Sequence, residues 1–431
     1  MKLEGLSNEA VAPTTKGWPA GAGALPLSEA GARGWSLLAE DLPLPAAVLK
    51  GRALAHNSRW MRSFLQHFDV ELWPHGKTTM APQLFARQLA DGCAGITVAT
   101  AQQLLVARRF GVARVLLANQ LIGRQNVLAV LRELQADPGF EFLCLVDSEA
   151  GAEQLAGAAR AFGLARPITV LLEGGIQGGR TGCRTLEQAL AVARLVARTP
   201  ELALAGVEGF EGVLRRLHVE DTEREVQRFL DFLVEIARAC DREDLFAPGP
   251  VRLTAGGSAF FDQVTKTFRA AGLRREVRIV LRSGCYLTHD SKMYTSAFAR
   301  LRERTPEVDR LGEGLIPALE VWAYVQSTPE PGLAIATVGK RDISYDTDLP
   351  LPEQWFRPGL HQRPQRLGEG FTVSGLNDQH AYVRMPADSP LKVGDLVSFG
   401  ISHPCTTFDK WQLLWVVDDD YRVSEAIRTF F

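Results

Sequence analysis

The chain has 431 residues, with 48 Lys+Arg against 50 Asp+Glu and a formal net charge of −2. It is 46% hydrophobic and 23% charged, which excludes a disordered polyelectrolyte. The near-neutral balance also argues against a protein that recruits nucleic acid by bulk positive charge. The length allows two or three domains of about 150 residues, or one α/β barrel of about 250 residues plus a smaller unit.

The amino terminus reads Met1-Lys2-Leu3-Glu4-Gly5, with no apolar core after its lysine, so a secretory signal is not expected. No apolar run has the length of a membrane span, so no membrane partner is expected. Cysteines stand at 93, 144, 183, 240, 285 and 405, without a CxxC pair or the spacing of a disulfide framework. A reducing, cytoplasmic setting is the expectation.

From Pro19 to Pro45 the chain is rich in Gly, Ala and Pro and reads as an irregular lead-in. Eight short apolar or β-branched runs follow: Val70–Trp73, Gly95–Ala99, Val115–Ala118, Phe142–Val146, Ile168–Leu172, Leu204–Val207, Val251–Thr254 and Val277–Leu281. Between them, Pro82–Ala90, Ala101–Phe110, Ser148–Phe162, Leu186–Ala197 and Glu220–Cys240 carry apolar residues at helical spacing. Eight strand–helix alternations predict an α/β fold, a parallel (β/α)8 TIM barrel; a doubly wound open sheet is the competing arrangement.

Beyond residue 300 the texture changes. Leu315–Val338, Phe371–Val373, Ala381–Met385, Leu396–Ile401 and Trp411–Val417 read as strands separated by Pro- and Gly-rich loops. The expected division is a lead-in at 1–45 packed on the β-domain, a barrel at 46–300 and a C-terminal all-β domain at 301–431.

The active face of such a barrel lies at the carboxyl ends of its strands. Lysine occurs only nine times, and Lys77, in Pro74-His75-Gly76-Lys77-Thr78-Thr79, alone lies just past one of the eight strands. A partly desolvated lysine there can form a Schiff base; the alternative is a solvated loop lysine. Gly256-Gly257-Ser258 follows the seventh strand and Ser283-Gly284-Cys285-Tyr286 the eighth. Glycine loops at those positions suit a phosphate cradle, or are plain turns. Phosphate on one side and an amine on the other suggest pyridoxal phosphate. Arg180, in the glycine-rich loop after the fifth strand, can donate to a ligand oxygen, and Glu208 after the sixth can face the barrel mouth. His403-Pro404-Cys405 is expected on an extended segment, where a period of two puts imidazole and thiol on one face. That pair suits Zn²⁺ better than a hard cation; the alternative is a buried cysteine beside a satisfied histidine.

Taken together these segments resemble the fold-type III pyridoxal-phosphate enzymes, the alanine-racemase-like barrels. The likeness runs from about Leu44 to Leu414 and is nearest the D-serine dehydratase and D-threonine aldolase group, including bacterial amino acid deaminases. The segment WPHGKT resembles the cofactor-lysine segment, implying Lys77 as the Schiff-base residue. GGRTGC resembles the loop whose arginine approaches the cofactor's phenolic oxygen, implying Arg180. TAGGS and RSGCYLTHD resemble the phosphate loops, implying Gly256, Gly257, Ser258, Gly284, Cys285 and Tyr286. SHPC resembles the metal segment, implying His403 and Cys405 with Zn²⁺, or Mn²⁺ in its place. Phe210 stands where a tyrosine is common, and Glu208 is the residue assigned to the pyridine nitrogen.

The resemblance implies a homodimer acting on a 3-hydroxy-D-amino acid. Dehydration to a 2-oxo acid and ammonia is the expected reaction. Retro-aldol cleavage to glycine and an aldehyde, racemisation, and a non-catalytic pyridoxal-phosphate carrier are the alternatives.

Overall fold

The computed structural model describes residues 1–214 and 218–431. The chain divides into two compact units. The first holds Arg62–Lys77 and Gln88–Gly284; the second holds Lys2–Met61, Thr78–Arg87 and Cys285–Phe431.

The first unit contains eight strands: β1 (Glu71–Leu72), β2 (Ile96–Val98), β3 (Arg114–Gln120), β4 (Glu141–Val146), β5 (Ile168–Glu173), β6 (Leu202–Glu208), β7 (Val251–Ala255) and β8 (Val277–Leu281). They pair in parallel, in the order β1-β8-β7-β6-β5-β4-β3-β2. The ring closes just beyond β1. Ala94 N–H donates to the Leu72 carbonyl at 3.0 Å, Thr97 N–H to Pro74 at 3.0 Å, and Thr97 Oγ1 to Trp73 at 2.6 Å. The expected barrel is therefore the observed one.

Trp73, Leu116, Leu143, Leu145, Leu171 and Val280 form an apolar cluster, each at most 2% exposed. Inward residues of parallel strands fill a barrel rather than line a pore. Gly95 is required beside this plug, because a Cβ there would lie 2.6 Å from the Trp73 ring. The intervening helices begin where the sequence supplies a cap. Thr100, Ser148 and Thr185 accept from Gln103, Gly151 and Gln188 N–H groups at 3.2 Å, each satisfying a donor that the first helical turn leaves open.

The second unit is built on antiparallel strands. Leu319–Glu330 pairs with Leu396–Gly400 and Leu333–Ala336; Leu413–Val417 pairs with Val423–Arg428. Ala46–Lys50, inside the span expected for the barrel but outside its eight runs, pairs antiparallel with Leu319–Glu330 and parallel with Leu413–Val417. Its Ala-Ala-Val-Leu run is almost wholly buried and fits any two-sided sheet position, so composition could not say which sheet. This unit also takes Thr78–Arg87 and the chain from Cys285. In the lead-in, Trp18 and Trp35 pack on Trp415 with ring centroids 5.6 Å away, and Lys16 Nζ meets Asp342 at 2.6 Å.

His403-Pro404-Cys405 is not extended as expected. His403 alone is (φ −154°, ψ 104°), and Pro404–Phe408 forms a short helix. Proline fits the first helical position, where its missing N–H has no partner to lose. No helix among the described residues is long and apolar enough to cross a membrane.

Candidate active site

The mouth of the barrel holds a pocket that opens to solvent. Lys77 enters its wall from a single 3-10 turn, Gly76–Thr78, just past β1. Glu173 ends β5, Arg180 and Thr181 follow it, and Glu208 ends β6. Gly257 and Arg282 come from the segments after β7 and β8. Each side chain thus arrives from the carboxyl end of a strand.

Glu208 and Arg282 form an ion pair buried on both sides, and Arg282 Nη2 donates to the Gly209 carbonyl at 2.6 Å. Burial nevertheless pushes the Glu208 carboxyl up to about 7, since Arg282 offsets only part of the lost hydration. Glu173 is also raised by burial, although Gln120 and Thr181 donate to it. His75 is held well below its ordinary value, first by burial and then by the charges of Lys77 and Arg282. It is therefore a neutral imidazole at neutral pH. Among the described residues, Glu208 Oε2, Arg282 Nε and His75 Nδ1 are buried here without a hydrogen-bond partner. Unpaired buried polar atoms are costly, and a polar ligand relieves that cost.

The glycine loop after β7 already holds an anion. Gly256 and Gly257 N–H groups donate to the two oxygens of the Glu211 carboxylate, at 3.1 and 2.6 Å. Gly256 has φ +92°, a conformation that disfavours other residues and aims successive N–H groups at one acceptor. The carboxylate stands in for a phosphate, so the loop fits the phosphate end of pyridoxal phosphate. With an amine and unpaired polar atoms across the pocket, the residues present suit the whole cofactor.

A second constellation lies within the second unit. Cys285 Sγ is 3.8 Å from Cys405 Sγ, and Cys405 Sγ is 3.5 Å from Thr78 Oγ1. His403 Nδ1 bonds Asp346 Oδ2 at 2.6 Å, and Thr406 Oγ1 donates to the other Asp346 oxygen at 2.6 Å. Burial alone would lower the His403 pKa, but its bonds to Cys405 and Asp346 outweigh it and raise the ring to about 9. Cys405 is held well below the usual thiol range, first by Cys285 and, against burial, by His403 and Thr78. Sulfur and a carboxylate-backed imidazole are donors that suit zinc, which would displace the proton that His403 and Cys405 share, so the donor types fit a soft divalent metal.

Of the residues singled out by sequence, Lys77, Arg180, Glu208 and Gly257 share the barrel pocket, and Gly256 adjoins Gly257 in the anion-holding loop. Ser258 is half-buried in the same loop. Gly284 ends the first unit, while Cys285 and Tyr286 are buried in the second. The Cys285 thiol, assigned by sequence to the phosphate loop, is directed to Cys405 instead. His403 and Cys405 do meet, through a helix start rather than a shared strand face. Sequence reasoning missed His75, Glu173 and Arg282. Their signal was position, since Glu173 is the last residue of β5 and Arg282 the first after β8.

Residues 49–247 match the family described as "Alanine racemase, N-terminal domain", and residues 318–417 match "Putative serine dehydratase domain". In both domains the chain is similar to the fold-type III pyridoxal-phosphate enzymes. Among its relatives, D-threonine aldolase from Arthrobacter sp. is 26% identical over 87% of this chain and 89% of its own. The 3-hydroxy-D-aspartate aldolase of Paracoccus denitrificans (strain Pd 1222) is 24% identical over 72% and 76%. Of solved structures, D-threonine aldolase from Filomicrobium marinum superposes with TM-score 0.73 at 23% identity, covering 93% of this chain and 98% of its own. D-threo-3-hydroxyaspartate dehydratase from Delftia sp. HT23 gives 0.70 at 22%, covering 92% and 99%. Members of this family depend on pyridoxal phosphate.

Proposed function

We propose that the chain is a pyridoxal-phosphate-dependent lyase that converts a 3-hydroxy-D-amino acid to a 2-oxo acid and ammonia. The observation that carries dehydration, rather than another reaction of the same substrate, is Cys405. Its sulfur is paired with His403, whose far nitrogen is backed by Asp346. A thiolate and an imidazole select a soft Lewis acid such as Zn²⁺, of the kind that helps hydroxide leave.

The cofactor, when bound, supplies the electron sink that lets the bond to the α-proton break. Lys77 would hold the cofactor through its amine, and that amine, when free, would serve as the general base for the α-proton. Gly256 and Gly257 N–H groups, which now donate to the Glu211 carboxylate, would hold the phosphate. Glu208 would meet the pyridine nitrogen with Oε2, while Arg282 orients that carboxyl through its other oxygen. Arg180, stacked on the Phe210 ring at 5.0 Å, would donate to the phenolic oxygen. Overall, the 3-hydroxyl leaves as water with the α-proton. Water then replaces the amino group as ammonia, so the net products are the 2-oxo acid and ammonia.

Retro-aldol cleavage is the second reading, favoured by the names of the two curated relatives, both aldolases. There a base takes the hydroxyl proton and the Cα–Cβ bond breaks to give glycine and an aldehyde. Incubation with D-serine and D-threonine separates them: keto acid with ammonia supports dehydration, glycine supports cleavage. Lys77→Ala should abolish both turnover and the cofactor's visible absorbance on the protein. Full turnover by that variant overturns the assignment.

A further inference from the structure

The proposed metal pair, His403 and Cys405, has a third soft donor beside it that lies 120 residues away in sequence. Cys285 is 4% exposed, yet its sulfur is directed at another sulfur rather than into apolar packing. Two thiolates on one tetrahedral zinc, each about 2.3 Å from the ion, stand about 3.8 Å apart along the tetrahedron's edge. The observed Cys285–Cys405 separation is 3.8 Å. A disulfide would need the sulfurs at about 2.05 Å. A plain thiol–thiol contact also fits that distance, so the spacing alone does not choose.

The choice comes from the remaining groups. His403 Nδ1 is taken by Asp346, so Nε2 is the nitrogen that bonds Cys405 and the one an ion would take in place of the shared proton. A carboxylate behind a ligating imidazole is the usual second layer of zinc sites, fixing the tautomer and the ring's direction. Thr406 in turn fixes Asp346, at 2.6 Å. Among the described residues no three such donors yet converge on one point. They hydrogen-bond one another instead, and metal binding displaces the protons they share.

We infer that Cys285 is a protein ligand of the metal held by His403 and Cys405. The result is a Cys₂His set with one position open to water or a substrate oxygen, the arrangement of a catalytic rather than a structural zinc. This rests on the metal reading given under the proposed function.

The test strips the full-length protein with chelator and titrates it with Co²⁺ and Zn²⁺. Wild type should show a sulfur-to-cobalt absorption of two-thiolate intensity. Cys285→Ser should halve that band and weaken Zn²⁺ binding by at least about tenfold in chelator competition, as loss of a ligand demands. A full band and unchanged affinity in Cys285→Ser, with both reduced in Cys405→Ser, would overturn the role of Cys285 and leave the two-ligand site standing. Failure of wild type to take up either metal would overturn both. Should Cys285→Ser not fold, X-ray absorption of the zinc-loaded wild type decides: two sulfurs per zinc support the inference and one refutes it.

Discussion

Glu208 offers a quantitative check on the pocket's electrostatics. It is 1% exposed and its carboxyl is raised from 4.5 to about 7, chiefly by burial, despite the Arg282 ion pair. The folded protein therefore binds this proton more tightly than the unfolded chain does. Stability from this group is fully present below pH 4.5 and is lost as pH rises through 7. Between pH 5 and 8 the loss comes to about 2–3 kcal/mol, at about 1.4 kcal/mol per pKa unit. Glu208→Gln removes the titration and keeps the shape. Arg282 stays charged and retains the Gly209 carbonyl, so the variant's absolute stability falls while its pH slope flattens. Urea unfolding of cofactor-free wild type and variant at pH 5 and pH 8 gives the comparison directly. Groups common to both proteins cancel in the difference. Equal pH dependence in the two would refute the reasoning, because Glu208 would then be ionised throughout.

The barrel core supplies a second expectation. Gly95→Ala places a Cβ 2.6 Å from Trp73 and 3.0 Å from the Arg114 carbonyl, and overpacking of this kind costs about 1–3 kcal/mol, read as a lower urea midpoint. At the phosphate loop, Glu211→Gln removes the anion that competes for Gly256 and Gly257 N–H groups. Charge-assisted bonds are roughly twice as strong as neutral ones, so calorimetric titration of the cofactor-free variant with inorganic phosphate should show several-fold tighter binding. Unchanged affinity would mean that Glu211 does not occupy the loop in solution. At Ser148, replacement by Ala leaves the Gly151 N–H without its acceptor and should cost about 1 kcal/mol in the same unfolding assay.

The eight strands were legible because each is a short, locally encoded signal. Ile168–Leu172 is β-branched and apolar, ends before a glycine loop, and folds as β5 (Ile168–Glu173). Lys77 was legible for a similar reason, since a strand end and a rare lysine coincide within a few residues. What periodicity cannot carry is partnership across the chain. Ala46–Lys50 is a short apolar run outside the eight, and only pairing with Leu319–Glu330 and Leu413–Val417 gives it a sheet. His403-Pro404-Cys405 reads as extended until Pro404 takes the first position of a helix.

The sequence by itself determined the order of elements and the chemistry available at each strand end. The tertiary structure decided which groups share an environment. Burial turned Glu208 into a carboxyl that titrates near neutrality, and folding brought Cys285 to Cys405. Both effects depend on what surrounds a side chain in space, and residues distant in sequence supply that surrounding.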